Sequence, residues 1–284
     1  MPASRLGDRP AAATVLTGIE SLDALSGGLP RGGLTEICGP ASSGRTSVLL
    51  AVMSKMTGQG EVCALVDAGD CFDPKSAEAA GVELKRLLWV RCSKHRGIGR
   101  SGDGVKQSMP PSTALGAGLG RWSGASGQWP VASGQKKVNH KSQMDSLEQA
   151  LKATDLLLQG GGFGLVVVDL GDVPTEAARR VPLTSWFRFR RAVENTRTAL
   201  LVIEQEPHAK TCASLVMQLS AIGRRLSASG QCSVSSGPTQ KEPVHGRILS
   251  GLEIRAEILR SAAQQKKPVQ SAGARWESRT AWAG

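Results

Sequence analysis

The chain has 284 residues, 40% of them hydrophobic and 4% aromatic, with 34 glycines, 14 prolines and no tyrosine. Its formal net charge is +11, from 35 Lys and Arg against 24 Asp and Glu. No apolar run approaches the ~20 residues of a membrane-spanning helix, which excludes a transmembrane span and leaves one large domain or two small ones, with some chain that adds nothing to a core.

Residues 1–14 lack the apolar stretch of a secretory signal and read as a flexible N-terminus, so a cytoplasmic location is expected. The first regular element predicted with clear boundaries is a strand at 34–38 (Leu-Thr-Glu-Ile-Cys), which runs into Gly39-Pro40-Ala41-Ser42-Ser43-Gly44. Residues 46–56 place apolar side chains at helical spacing. A second strand follows at 61–66, ending at Asp67. A helix at 73–84 is predicted next, capped by Asp73 with Pro74 at its first position. A third short strand covers 87–90.

From Ser93 to Ser142, Gly, Ser and Pro make up 21 of 50 residues with no helical or strand period. Such a segment buries too little apolar surface to offset its ordering entropy. It is expected to be a disordered insertion over 93–142, dividing a core of 15–92 and 143–260. Beyond it, a helix is predicted at 145–159 and a continuous apolar strand at Leu165-Val166-Val167-Val168, ending at Asp169. A basic helix at 183–197, a buried strand at 199–204 and terminal strands at 215–219 and 252–259 complete the pattern. Residues 261–284 read as a flexible basic tail. Strands alternating with helices predict an α/β fold, a mostly parallel sheet covered by helices on both faces.

The charge is unevenly distributed. Residues 91–142 carry nine basic side chains and one acid, and residues 223–284 carry ten and four, while the remainder holds 16 basic and 19 acidic residues. The basic segments suit a polyanion such as DNA, held by counterion release, or are simply solvated loops. Lys136 and Lys137 lie in the first of them. Arg188, Arg190 and Arg191 interleave with aromatics in Ser185-Trp186-Phe187-Arg188-Phe189-Arg190-Arg191. That pattern fits stacking on unpaired bases, or an amphipathic helix that buries Trp186, Phe187 and Phe189. The six cysteines form no CxxC pair and no cluster with histidine, which points to reduced thiols rather than zinc or a disulfide framework.

The residues from Gly39 to Thr46 fit G-x-x-x-x-G-[K/R]-[ST] between a strand and a helix. In such a loop, main-chain amides and the helix N-terminus favour anionic oxygen. Thr46 offers a hydroxyl to Mg²⁺, and the cation at position 45 neutralises terminal phosphates. Arg45 stands where lysine is usual, and its planar fork is bulkier than an ammonium. Asp169, closing an apolar strand, suits Mg²⁺ held through water; a strand-ending cap is the other reading.

Thr17-Gly-Ile-Glu-Ser-Leu-Asp23, Gly27-Gly-Leu-Pro-Arg-Gly-Gly33 and the Gly39–Thr46 loop together resemble the RecA recombinase family. Val66-Asp67-Ala68, Asp73-Pro74, 165–169 and Val202-Ile-Glu-Gln205 are similar to its later blocks, in its order. The resemblance implies a RecA-like P-loop NTPase core, ATP and Mg²⁺ as cofactors, single-stranded DNA as partner and a nucleotide-sensing role for Gln205. The family's water-activating glutamate falls at Gly69, with Asp70 next to it as a displaced substitute. The DNA-binding loops after Asp169 and Gln205 look shortened, and the family's long polymerisation segment is expected to be missing. These departures imply a diverged relative of damage-induced (SOS) mutagenesis with slow or absent hydrolysis, or a non-catalytic adaptor that binds another DNA-repair protein.

Overall fold

The computed structural model describes residues 13–92, 140–226, 249–262 and 273–279. The insertion expected at 93–142 lies outside this set except for the last three residues, which belong to a helix. Lys136, Lys137 and most of the N-terminal segment also lie outside it.

Elements follow one another as β1 (Thr14–Val15), α1 (Glu20–Ser26), β2 (Leu29–Pro30), β3 (Leu34–Cys38), α2 (Arg45–Gly58), β4 (Cys63–Asp67), α3 (Pro74–Ala79) and β5 (Leu87–Arg91). The second part contributes α4 (His140–Gly160), β6 (Leu165–Asp169), α5 (Thr175–Ala178), α6 (Leu183–Val193), β7 (Ala199–Glu204), β8 (Leu215–Leu226), β9 (Leu249–Ser261) and β10 (Gly273–Arg279). Eight strands form one sheet in the order β10-β9-β8-β3-β7-β6-β4-β5. The six from β8 to β5 run parallel, and β9 and β10 extend the sheet antiparallel. The mostly parallel α/β architecture read from the sequence is therefore the one observed.

Strand alternation divides the core between two faces. Leu165 and Val167 of β6 pack with Leu22, Val48, Val52, Met53 and Met56 of α1 and α2. Val166 and Val168 pack on the other face with Leu147, Ala150, Trp186 and Phe189 of α4 and α6. Trp186 meets Phe189 edge to face at 6.0 Å. Phe187, one of the three aromatics assigned to the buried face, is instead 48% exposed, because a helical turn of 3.6 residues carries it away from its two neighbours.

Other boundaries move for local reasons. The helix expected at 73–84 stops at Ala79, since Gly81 takes φ +88° and Val82 N–H returns to the Ala77 carbonyl; its cap is as expected, with Asp73 accepting from Lys75 N and Ser76 N. The basic helix ends at Val193, ahead of Asn195 at φ +66°. The terminal strands are longer than expected because β8 and β9 pair with each other along nearly their whole length. The reading of 261–284 as a flexible tail fails for 273–279: Ala274 pairs with Ala256 and Trp276 with Ile254, and Trp276 packs on the first core face.

Parallel pairing aligns the ends of four strands. Cys38 lies opposite Glu204, Ile203 opposite Asp169, and Asp169 opposite Asp67. This C-terminal edge is where open α/β sheets bind ligands.

Candidate nucleotide-binding site

The loop from Gly39 to Gly44 leaves β3 at this edge. Gly39 N–H is shared by the carbonyls of Glu204 (3.2 Å) and Gln205 (3.1 Å), which ties the loop to the end of β7. A Cβ at Gly39 would strike the Leu219 carbonyl of β8, so the strand passes too close for any side chain. Ser43 N–H closes a turn onto the Pro40 carbonyl at 3.2 Å, with Ser42 at φ +60°. At Gly44, φ is +95° and a Cβ would collide with Ile254 of β9. The loop is thus packed against β7, β8 and β9, and α2 begins at its end. Amides of a helix's first turn have no helical acceptor, which leaves those of Arg45, Thr46 and Ser47 for a ligand. Pro40, Ala41, Ser42 and Thr46 border the opening, and Ala41, Ser42 and Thr46 are exposed. The Ser43 hydroxyl is buried with no hydrogen-bond partner among the described residues.

Arg45 is buried and turns from the loop toward β6, where both Nη1 and Nη2 donate to the Gly171 carbonyl at 3.3 Å. Gln205 Nε2 donates to the same oxygen at 3.1 Å and to Val173 O at 3.3 Å. One carbonyl therefore gathers the two side chains to which the sequence assigns phosphate contact and nucleotide sensing.

The acids beside it have separate tasks. Asp67 is 1% exposed and accepts from Cys71 N (3.3 Å), Phe72 N (3.0 Å) and Trp89 Nε1 (3.2 Å), closing the turn after β4. Asp70, at φ +56°, is held by Arg91 Nε at 2.5 Å and Nη2 at 2.8 Å, and Arg91 also lies over the Trp89 ring. Asp169 accepts from Gly171 N at 2.9 Å. Burial, together with the neighbouring charges of Asp67 and Asp172, pushes the Asp169 carboxyl up to about 6 against the opposing help of Gly171 N–H and Arg45. A buried acid crowded by acids is one that a divalent cation would favour. The donor set of Asp169 and the exposed Thr46 hydroxyl thus fits Mg²⁺, and the amides fit a phosphate chain. Among the described residues no group of three or more His, Cys, Asp and Glu is arranged to hold a metal alone.

A second constellation escapes the sequence reading. Glu36 in β3 and Glu204 at the end of β7 are both essentially inaccessible. Glu36 Oε1 accepts from His208 N (2.8 Å) and Ala209 N (2.6 Å), and His208 Nδ1 lies 2.8 Å from Glu204 Oε2. Burial and the adjacent Glu204 push Glu36 up to about 8, and burial pushes Glu204 up to about 7. Desolvation holds His208 below its usual value. The raised values favour a proton shared between the two carboxyls, and desolvation favours a neutral His208 ring beside Glu204. The available signal was a glutamate in each of two largely apolar strands, Glu36 within β3 and Glu204 at the end of β7.

The proposed DNA-contacting arginines sit apart from this edge. Arg188 pairs with Asp155 at 2.9 Å, Arg190 Nη1 donates to Thr211 O at 3.1 Å, and Arg191 is exposed. No described helix is long and apolar enough to cross a membrane.

A strand-to-helix phosphate loop at the C-terminal edge of a mostly parallel, helix-covered sheet defines a P-loop nucleotide-binding fold. Residues 4–95 match the RecA N-terminal domain family. Among curated proteins, the chain is 46% identical over 87 residues to Protein RecA of Nostoc sp. (strain PCC 7120), covering 30% of this chain and 24% of that protein. Protein RecA of Chlorobium chlorochromatii is 47% identical over 89 residues, and that of Marinobacter nauticus 44% over 88, each covering 30% of this chain and 25% of the relative. The N-terminal third of the chain is thus similar to the RecA family, and the chain spans about a quarter of the length of the curated relatives it matches.

Proposed function

We propose that the chain is a RecA-like ATP-binding protein that acts in the cytoplasm in DNA repair, recombination or the SOS response. ATP sits in the Gly39–Thr46 loop and favours association with single-stranded DNA, and its hydrolysis is slow. The observation that supports this reading is the Gly39–Gly44 loop, which enters α2 with no side-chain cap on the helix start and with Thr46 exposed, while Asp169 lies within reach of the Arg45 charge. Bound Mg²⁺ would supply charge neutralisation on the phosphates. The chain's own residues do the rest: loop amides grip the phosphates, Arg45 supplies a buried positive charge, and Gln205 links the site to the loop after β7. The fork of Arg45 already serves Gly171, which accounts for weak catalysis.

The same engagement of Arg45 supports a second reading, a non-catalytic adaptor that keeps the fold and binds another DNA-repair protein. Titration with a fluorescent ATP analogue separates the two. Wild type binds in a Mg²⁺-dependent manner, and Thr46→Ala weakens binding about tenfold or more, in line with loss of a charge-assisted metal contact. Equal affinity in wild type and Thr46→Ala rejects the site. DNA affinity is expected to fall steeply with salt, since the contacts are to phosphates.

A further inference from the structure

The two carboxylates at and after the end of β4 are already engaged: Asp67 accepts from three donors and Asp70 from Arg91. Position 69 is glycine, and the volume its side chain would fill is not vacant. A Cβ there would lie 3.1 Å from Asp172 Cβ and 3.5 Å from Asp172 Oδ2. Asp172 belongs to the loop after β6, three residues beyond Asp169, and is exposed. Its carboxylate faces the Cys71 thiol and the Asp169 carboxylate. Its position is fixed by the residue before it, because the Gly171 carbonyl receives Arg45 and Gln205 together.

We infer that Asp172 is the water-orienting carboxylate of this site, reaching from the β6 loop into the space that Gly69 leaves in the β4 turn. The inference rests on the nucleotide-binding reading above. In the step it supports, the oxygen of a water bonds to the γ-phosphorus as the bridging P–O bond breaks. The electron pair leaves on the β-phosphate of ADP, and the water's proton passes to Asp172 and then to solvent or the released phosphate. An aspartate on a loop tethered by Gln205 is shorter and less directly aimed than a longer acid on the β4 turn, so turnover is slow. Gln205 is then a positioning residue, acting through Gly171.

The experiment compares wild type, Asp172→Asn and Asp172→Glu in the full chain. It reads the affinity for a fluorescent ATP analogue with Mg²⁺, the tightening of ADP by tetrafluoroaluminate, and single-turnover hydrolysis. Asp172→Asn should bind the ATP analogue within about twofold of wild type but lose a tetrafluoroaluminate tightening of about tenfold or more, and slow hydrolysis by roughly 10²- to 10⁴-fold. Asp172→Glu should keep part of the tightening. Retained tightening and hydrolysis in Asp172→Asn overturn the assignment, as does loss of both in Asp70→Asn with Asp172 unchanged. Wild type that binds the analogue yet shows neither tightening nor turnover also overturns it. Wild type that binds no analogue overturns the underlying nucleotide site as well, and is recognised by the first readout alone.

Discussion

Two groups of buried acids stand at the same edge of the sheet, on either side of Arg45, and they resolve the same electrostatic problem differently. On the β4–β6 side, Asp67 and Asp169 end adjacent strands, with Asp70 and Asp172 in the exposed turns beyond them. On the β3–β7 side, Glu36 and Glu204 lie sealed beneath His208. In the first group Asp67 is buried and satisfied by neutral N–H donors, while Asp70 pairs with the Arg91 guanidinium and Asp169 lies within reach of the Arg45 charge. The second has no access to ions and is neutralised by a proton. Arg45 favours ionisation of both Asp169 and Glu204, so its charge is divided between them. The same side-chain chemistry is thus left partly accessible on one side of the edge and sealed into packing on the other.

The sharpest way to break this contrast is Asp67→Ala. It leaves two backbone amides and the Trp89 indole without their acceptor, and unfolding in urea should show a loss of about 3 kcal/mol. A loss near zero would mean that the turn after β4 is held by something other than this acid.

The next effect is on pH dependence. Glu36 and Glu204 bind protons more tightly folded than unfolded, so their contribution is complete below the unfolded carboxylate range. It is lost as pH rises through about 7 to 8. His208 shifts the opposite way and costs stability only as pH falls through its unfolded value, so a comparison of pH 7 with pH 8.5 excludes it; the buried thiols, also raised, add a loss common to wild type and the variant. Wild type should lose roughly 1–2 kcal/mol over that interval. Glu36→Gln, whose amide can donate to Glu204 without a shared proton, should lose much less. Equal losses in the two proteins would show that the pair is not proton-linked to folding.

The smallest expected effect is Arg91→Ala. Its bond to Asp70 is exposed to solvent, and such pairs contribute little. The melting temperature should change only slightly. A fall as large as that of Asp67→Ala would show that the strand-end acids and Arg91 act as one unit rather than as a buried acid and a surface pair.

Much of the architecture was legible because its signals are local. Apolar runs such as 165–168 could only be central strands of a covered sheet, and Gly39, Gly44 and Thr46 punctuate a strand-to-helix turn whatever the rest of the chain does. Asp73 with Pro74 marked a helix start for the same reason. The strand at 273–279 was less visible, although Ala274 and Trp276 alternate with charged neighbours, because only pairing with β9 gives that alternation a buried side. The helix end near Ala79 was missed where a left-handed glycine, not the apolar pattern, decided the boundary.

The amino-acid order by itself determined the strand and helix sequence, the phosphate loop and the acid at the end of β6, since each depends on residues within one or two turns of chain. Only the tertiary structure decided where charges meet. It bent Arg45 onto Gly171, put Asp172 into the space left by Gly69, and set Glu36 beside Glu204 and His208. Those meetings join residues on different strands and turns, more than a hundred positions apart in most cases. Their energies depend on burial and orientation, which exist only once the sheet has brought its strand ends together.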